Sequence, residues 1–400
     1  MYYQRIYRQF KFALIAVLII FQCNIYGQVY AQNGMVVSDN EVSSKVGRDI
    51  LKHGGNAIDA SIATAFALAV THPQAGNIGG GGFLVYLNDK GESTTIDFRE
   101  KAPLASTPDM YLDNNGELIQ GSNHNGAKTI GVPGTVAGLY LAHQKYGSLS
   151  WKKLVQPSID LAENGVTLSW TLAQHGKQLN SNNYPKFLKN YYTHPNGDLV
   201  MQGELWIQKE LANTLTLIRD HGQDGFYKGA VAKEITAFMK ANGGIITERD
   251  LAKYEAIERA PIKGTYKDFE IISMPPPSSG GVAIIEMLNM MEKADFETLE
   301  FNSTAYVHLV AEVMRRTYAD RAEFLGDPDF NPNMPLDKLT SKEFAKMRFD
   351  NIDIDHASIS DSSKFGQLYD GKNTTHFSVI DKNGAAVSLT YTLEQSYGSG

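Results

Sequence analysis

The chain has 400 residues, 42% of them hydrophobic and 10% aromatic, and a formal net charge of −7. That is enough for one large globular domain or two ordinary ones with a sizeable core, and the acidic balance argues against a general nucleic-acid binder. A single cysteine, Cys23, excludes an internal disulfide and a thiolate metal cluster.

In chain order, Arg5, Arg8 and Lys11 precede an apolar run from Phe12 to Phe21, and the stretch ends in Val29-Tyr30-Ala31. An uncleaved membrane anchor and lipidation at Cys23 are alternatives, but the run is short for a transmembrane helix and Gln22 is a poor residue before a lipidated cysteine. This charged, apolar, cleavable order is that of a secretory signal peptide, removed near Ala31. It implies secretion, with the periplasm as the destination. Residues 1–31 hold three cations and no acid, so their loss takes the net charge from −7 to −10. Asn56 to Val70 is apolar almost all round and reads as a buried helix. Four glycines, Gly79 to Gly82, follow and suit close backbone packing. Phe83–Leu87 and Thr94–Phe98 then read as two strands around the turn residues Asn88-Asp89-Lys90-Gly91.

From Gly131 to Phe344 the periodicity is largely helical, with breakers between. Pro275 to Gly281 is the strongest loop signal. Met314 to Leu325 reads as an exposed helix stopped by Gly326-Asp327-Pro328, its charges at 315–323 forming a network on the helix face. Residues 345–373 are polar and irregular, a candidate flexible linker.

The chain closes on a hairpin. Thr374–Ile380 and Ala385–Glu394 flank Asp381 to Gly384. Phe377, Val379, Val387, Leu389, Tyr391 and Leu393 carry odd numbers; Thr374, His376, Ser378, Ser388, Thr390, Thr392 and Glu394 carry even ones. Opposed residues share a face, so odd must oppose odd. A three-residue loop, Lys382-Asn383-Gly384 with Gly384 left-handed, gives that pairing and sets Thr374 opposite Thr392. A polar sheet face by itself carries no function.

The chain has no phosphate-binding Gly-Lys-Ser/Thr sequence after the glycines, no well-placed dinucleotide fingerprint and no HExxH. The ten histidines are scattered, and the His308/Glu312 pair reads as structural. No metal and no cofactor is expected. A threonine hydroxyl needs a base to become a nucleophile, and an N-terminal threonine carries one in its own α-amine, with a reference pKa of about 7.7–8.0. Thr374 could act in this way only if the chain were first cut between Asn373 and Thr374.

Six segments choose Thr374. THPQAGNIGGGGF (71–83), DFREKAP (97–103), GVPGTVAG (131–138), MPPPSSGG (274–281), YADRAEFLGDPDF (318–330) and TTHFSVIDKNGAAVSLTYTLEQSYGSG (374–400) resemble γ-glutamyltranspeptidase, in that family's order. The resemblance implies an α+β fold, the four-layer αββα sandwich of N-terminal nucleophile hydrolases. It implies a signal peptide over 1–31, a large subunit over 32–373 and the start of a small subunit over 374–400, produced by self-cleavage at Asn373–Thr374. It makes Thr374 the catalytic nucleophile and Thr392 the hydroxyl that bonds it. Arg99 is then the residue that holds the substrate α-carboxylate, for which a guanidinium fork is suited. Read from its neighbours alone, Arg99 would be an ion-pair partner of Asp97 or Glu100. Glu394 stands where one branch of the family has Asn, and opposite Arg99 it could pair with the α-ammonium of a γ-glutamyl group. His376 and the turn 274–281 read as structural.

The implied substrates are glutathione and other γ-glutamyl compounds, with water or an acceptor amino acid or dipeptide taking the glutamyl group. The implied protein partner is the chain's own small subunit. By the same resemblance the second half of that subunit lies beyond Gly400, with its oxyanion-hole amides and remaining substrate ligands, so the chain as it stands is expected to be inactive. Two other functions compete: a cephalosporin or glutaryl acylase of the same superfamily, and a non-catalytic relative.

Overall fold

The computed structural model describes residues 30–180, 188, 190–294, 298–360 and 374–399. The signal-peptide reading of residues 1–29, the linker residues 361–373 and the cleavage-site residue Asn373 lie outside these. Among the described residues ten strands form: β1 Gly34–Val37, β2 Gly81–Leu87, β3 Ser93–Phe98, β4 Val166–Thr167, β5 Leu205–Trp206, β6 Ile257–Arg259, β7 Ile262–Tyr266, β8 Phe269–Ser273, β9 Thr374–Asp381 and β10 Ala386–Thr392. Among the described residues they make one six-stranded antiparallel sheet in the order β1-β9-β10-β2-β3-β6 and two-stranded sheets β4–β5 and β7–β8.

The main core lies on one face of the large sheet. Helix α1 spans Glu41–Lys52 and helix α2 spans Ala57–Thr71. Every residue of α2 is buried, as its apolar circumference predicts. Asn56 caps it in a reciprocal box with Asp59. Asp59 is itself fully buried, and its carboxylate collects N–H and O–H donors from Ser148 and N–H from Leu149. Those donors offset the cost of taking a charge out of water. Ile62, Phe66 and Leu68 contribute roughly 1.5–3 kcal/mol each through burial. Helices α3 (Thr135–Tyr146) and α4 (Trp151–Asn164) complete this layer.

The odd residues of the hairpin pack on α2. Phe377, Val379, Val387, Leu389 and Tyr391 are buried, and the Tyr391 hydroxyl donates to the Ala65 carbonyl at 2.9 Å. Asp381 accepts from the Ala57 N–H at 3.0 Å, tying the hairpin turn to the start of α2. The other sheet face is open. Val37, Val85 and Ile380 border a hollow of about 430 Å³ with Glu270 and Ile272 of β8.

The region from Gly131 to Phe344 is largely helical, as expected, with short strands at 257–273 inside it. Two sequence expectations need correction. The segment expected to be an exposed helix at 314–325 belongs to a longer helix, Thr304–Phe324, with one side buried: Glu312, Val313, Thr317 and Asp320 are inside. Its charges pair both along the helix and across elements: Arg316 binds Glu312 one turn back at 2.6 Å, and Asp320 binds Arg348 of another helix. Residues 345–349 complete a helix, Lys342–Phe349, whose Phe344 and Ala345 are buried, so the irregular stretch starts later than the polar composition suggested. Among the described residues no helix is long and apolar enough to cross a membrane.

Candidate active site

β9 and β10 pair with Thr374 opposite Thr392, the register set by the alternation and the loop. Gly384 closes that loop at φ 87°. The Asp381 N–H meets the Ala385 carbonyl and the Gly384 N–H meets the Asp381 carbonyl, leaving Lys382, Asn383 and Gly384 as the three loop residues. The Thr374 hydroxyl donates to the Thr392 hydroxyl oxygen at 3.3 Å. Thr392 is buried, and its oxygen also accepts from the Glu394 N–H at 2.7 Å. One buried hydroxyl therefore links the first residue of β9 to the residue two positions past its own.

Glycines let the strands close around this point. A Cβ on Gly80 would collide with the Thr392 carbonyl oxygen, and one on Gly82 with that of Thr390. The Gly80 carbonyl takes the N–H groups of Gly134 and Thr135 at the start of α3, so the GVPGTVAG segment docks on the glycine run.

Arg99 leaves the end of β3 toward the same region. Its backbone is fixed on both sides: the N–H donates to Asp97 at 3.0 Å and the carbonyl accepts from the Tyr254 hydroxyl at 2.7 Å. Its guanidinium lies 3.4 Å from Glu100, while Asp97 is taken by Arg259 at 2.9 Å. So an ion pair of Arg99 with Glu100 is present and one with Asp97 is not. Burial raises the Glu100 carboxyl above its ordinary range, with Arg99 pulling the other way.

Glu394 stands at φ 71°, a left-handed conformation that turns the chain out of β10. Arg99, Glu100, Lys101, His124, Glu394 and Tyr397 line one cavity of about 410 Å³. Of the five predicted site residues, Asn373 lies outside the described ones, and Arg99 and Glu394 share this cavity. Thr374 and Thr392 form a hydroxyl pair and neither lines the cavity; the link to it is the Glu394 N–H, which donates to the Thr392 oxygen. His124 approaches Glu394 at 3.9 Å, and Tyr397 donates or accepts a 2.8 Å hydroxyl bond with Tyr192. The sequence reading assigned neither a role: His124 stands in none of the six segments, and Tyr397, though inside 374–400, has no charge or spacing that points to this cavity. His376 bonds Thr390 at 2.7 Å and Ser378 at 3.2 Å, and burial lowers its pKa. His308 binds the Asp353 carbonyl and Glu312 binds Arg316 and Ser358, so that pair does not converge. Among the described residues no three His, Cys, Asp or Glu side chains gather as metal ligands.

Thr374 heads an inner strand of an antiparallel sheet, is bonded by a second threonine and is backed by helices; the fold is that of the N-terminal nucleophile hydrolases. The chain belongs to the γ-glutamyltranspeptidase family, whose model it matches over residues 43–400. It is 44% identical over 380 residues to the glutathione hydrolase proenzyme of Escherichia coli (strain K12), covering 94% of this chain and 65% of that protein. The crystal structure of Helicobacter pylori γ-glutamyltranspeptidase aligns with a TM-score of 0.80 at 44% identity, covering 86% of this chain and 100% of that one. An acylase proenzyme of Pseudomonas sp. (strain SE83) is more distant, 35% identical over 388 residues, covering 92% of this chain and 66% of that protein. The chain thus spans about two-thirds of the length of the curated relatives it matches.

Proposed function

We propose that the full-length protein is a γ-glutamyl hydrolase and transferase acting on glutathione and related γ-glutamyl amides. The observation that carries this reading is the Thr374–Thr392 hydroxyl pair beside a cavity with Arg99 and Glu394 on its walls. A γ-glutamyl group presents an α-carboxylate and an α-ammonium. A guanidinium and a carboxylate in one cavity complement that zwitterion, each with a charge-assisted bond.

The proposed sequence begins with hydrolysis of the Asn373–Thr374 peptide, which yields a carboxylate on Asn373 and a free amine on Thr374. That cut separates a large subunit ending at 373 from a small one starting at 374. The neutral amine takes the Thr374 hydroxyl proton as the oxygen attacks the γ-carbonyl. The scissile C–N bond breaks, the leaving amine departs with the proton, and a γ-glutamyl ester remains on Thr374. Water or the amine of an acceptor amino acid or dipeptide then attacks the ester and returns the hydroxyl. Thr392 orients the nucleophile throughout. Arg5 to Ala31 supports secretion of the precursor to the periplasm.

Denaturing gels and two anilides test the reading. Full-length protein is expected to split at Asn373–Thr374 and to release anilide from γ-glutamyl-p-nitroanilide, and Thr374→Ala to do neither. Glutaryl-p-nitroanilide keeps the carboxylate but lacks the ammonium. Faster release from the glutaryl substrate would make the protein an acylase, and an intact, inert chain would make it a non-catalytic relative.

A further inference from the structure

The alternation that exposes Thr374 turns the next side chain inward. Thr375 is fully buried, and its hydroxyl donates to the Asp39 carboxylate at 2.5 Å, across 336 residues of sequence. Asp39 sits in the turn between β1 and α1, where Asn40 caps the helix. Burial lowers the pKa of His72, at the end of α2, and of His376, and the Asp39 carboxylate opposes that shift in part.

The position of this bond matters because of how β9 is held there. Among the described residues, β1 pairs with β9 only from Ser378 to Asp381. Over Thr374 to Phe377 the described ladder runs to β10 alone. A strand end held on one side frays readily, more so once it is a chain terminus. The Thr375–Asp39 bond is a second anchor one residue from that terminus, on the side β1 has left. Because successive side chains point to opposite faces, fixing residue 375 inward also fixes the direction of the Thr374 hydroxyl.

We infer that Asp39 and Thr375 are positioning residues for Thr374, holding the strand end in register both for the cut at Asn373–Thr374 and for attack on substrate. The inference rests on the nucleophile reading above but names residues that reading does not use. It assigns neither residue a contact with substrate.

The test uses the full-length precursor with Asp39→Ala, Thr375→Val and the pair combined, and Thr375→Ser and Asp39→Asn as conservative variants. Self-cleavage is followed on denaturing gels, and kcat and KM are measured with γ-glutamyl-p-nitroanilide. Asp39→Ala and Thr375→Val are each expected to slow cleavage and lower kcat about tenfold, with KM within twofold. The combined variant is expected to be no worse than either single one, since both remove the same bond. Thr375→Ser is expected to recover most of both rates, and Asp39→Asn part of them. If the variants melt at lower temperature yet cleave and turn over at wild-type rates, the inference is overturned. Equal losses in Thr375→Ser and Thr375→Val would overturn it too, since the hydroxyl would then be irrelevant. Should Asp39→Ala fail to fold, Thr375→Ser against Thr375→Val decides alone. A wild-type protein inert on the anilide would remove the γ-glutamyl substrate and leave the cleavage rates to decide the positioning.

Discussion

Thr392→Val isolates the oxygen on which the site geometry turns. Valine keeps the shape of the side chain and deletes its hydroxyl, so the buried volume changes little while two hydrogen bonds go. One is the 3.3 Å bond from Thr374, the other the 2.7 Å bond from the Glu394 N–H. A net hydrogen bond is worth roughly 0.5–1.5 kcal/mol. Two together give about 1–3 kcal/mol, or between fivefold and a hundredfold in rate at about 1.4 kcal/mol per factor of ten. The expected result for full-length, matured protein is a fall in kcat on γ-glutamyl-p-nitroanilide of roughly this size. KM should rise only two- or threefold, because the Glu394 backbone loses an anchor while Arg99 keeps its own. Thr392→Ser should restore most of the rate. Turnover of Thr392→Val within twofold of wild type, with the fold intact by thermal melt, would refute the claim that this hydroxyl orients the nucleophile.

Three further outcomes follow from the same structure. Glu394→Gln removes the charge proposed for the α-ammonium, and kcat/KM should fall about tenfold for the γ-glutamyl anilide and stay level or rise for the glutaryl anilide, as read from parallel initial rates. Gly80→Ala forces a methyl group against the Thr392 carbonyl and should abolish both self-cleavage and turnover, which one gel and one rate would show. Glu286 is buried in the helix Gly280–Met291, one of its oxygens lacks a hydrogen-bond partner, and burial pushes its pKa up to about 7 despite Arg348 nearby. Its folded pKa lies above the ordinary 4.5, so the stabilising contribution is full below pH 4.5 and is lost as pH rises through 7. Urea melts should show wild type losing roughly 3 kcal/mol between pH 4.5 and 8, and Glu286→Gln nearly flat over that range.

The parts of this protein that were legible in its sequence are those where a short-range rule has one solution. The hairpin of β9 and β10 is such a case: a strict period of two plus a three-residue loop admits only the register that puts Thr374 on Thr392. The buried helix α2 is another, because no partly exposed helix is apolar all round. The strands at 257–273 were not legible. They are three to five residues long, they carry Glu258, Arg259, Lys263 and Glu270, and their pairing is decided by neighbours rather than by alternation. The helix Thr304–Phe324 misleads for a related reason. A run of Arg, Asp and Glu looks solvated, yet Glu312 and Asp320 are buried because Arg316 and Arg348 accompany them, and Arg348 comes from another helix. Arg99 shows the limit most directly: its neighbours suggested an ion pair, and the pair with Glu100 exists, but nothing local to Arg99 points to Glu394, which the resemblance set opposite it and which lines the same cavity. The Asp39–Thr375 bond has no local signature at all, being a contact across 336 positions.

The odd and even residues of one hairpin divide the work, and this explains why segments that look merely structural belong to the site. Phe377 and Tyr391 fasten the odd face to α2, so the even face cannot rotate or slip without exposing the core. Thr374, Thr392 and Glu394 inherit their geometry from that anchorage. The remaining freedom is at the ends, where β1 has stopped pairing and β10 turns away. Gly80 and Gly82 remove it on one side by letting β2 lie against β10, and Asp39 removes it on the other by holding Thr375. Neither the glycines nor Asp39 needs to touch a substrate for the chemistry to depend on them. On the proposed mechanism a hydroxyl and an amine on the same residue react at a useful rate only when the residue itself has one orientation, and Asp39 would help set that orientation from the buried face of β9.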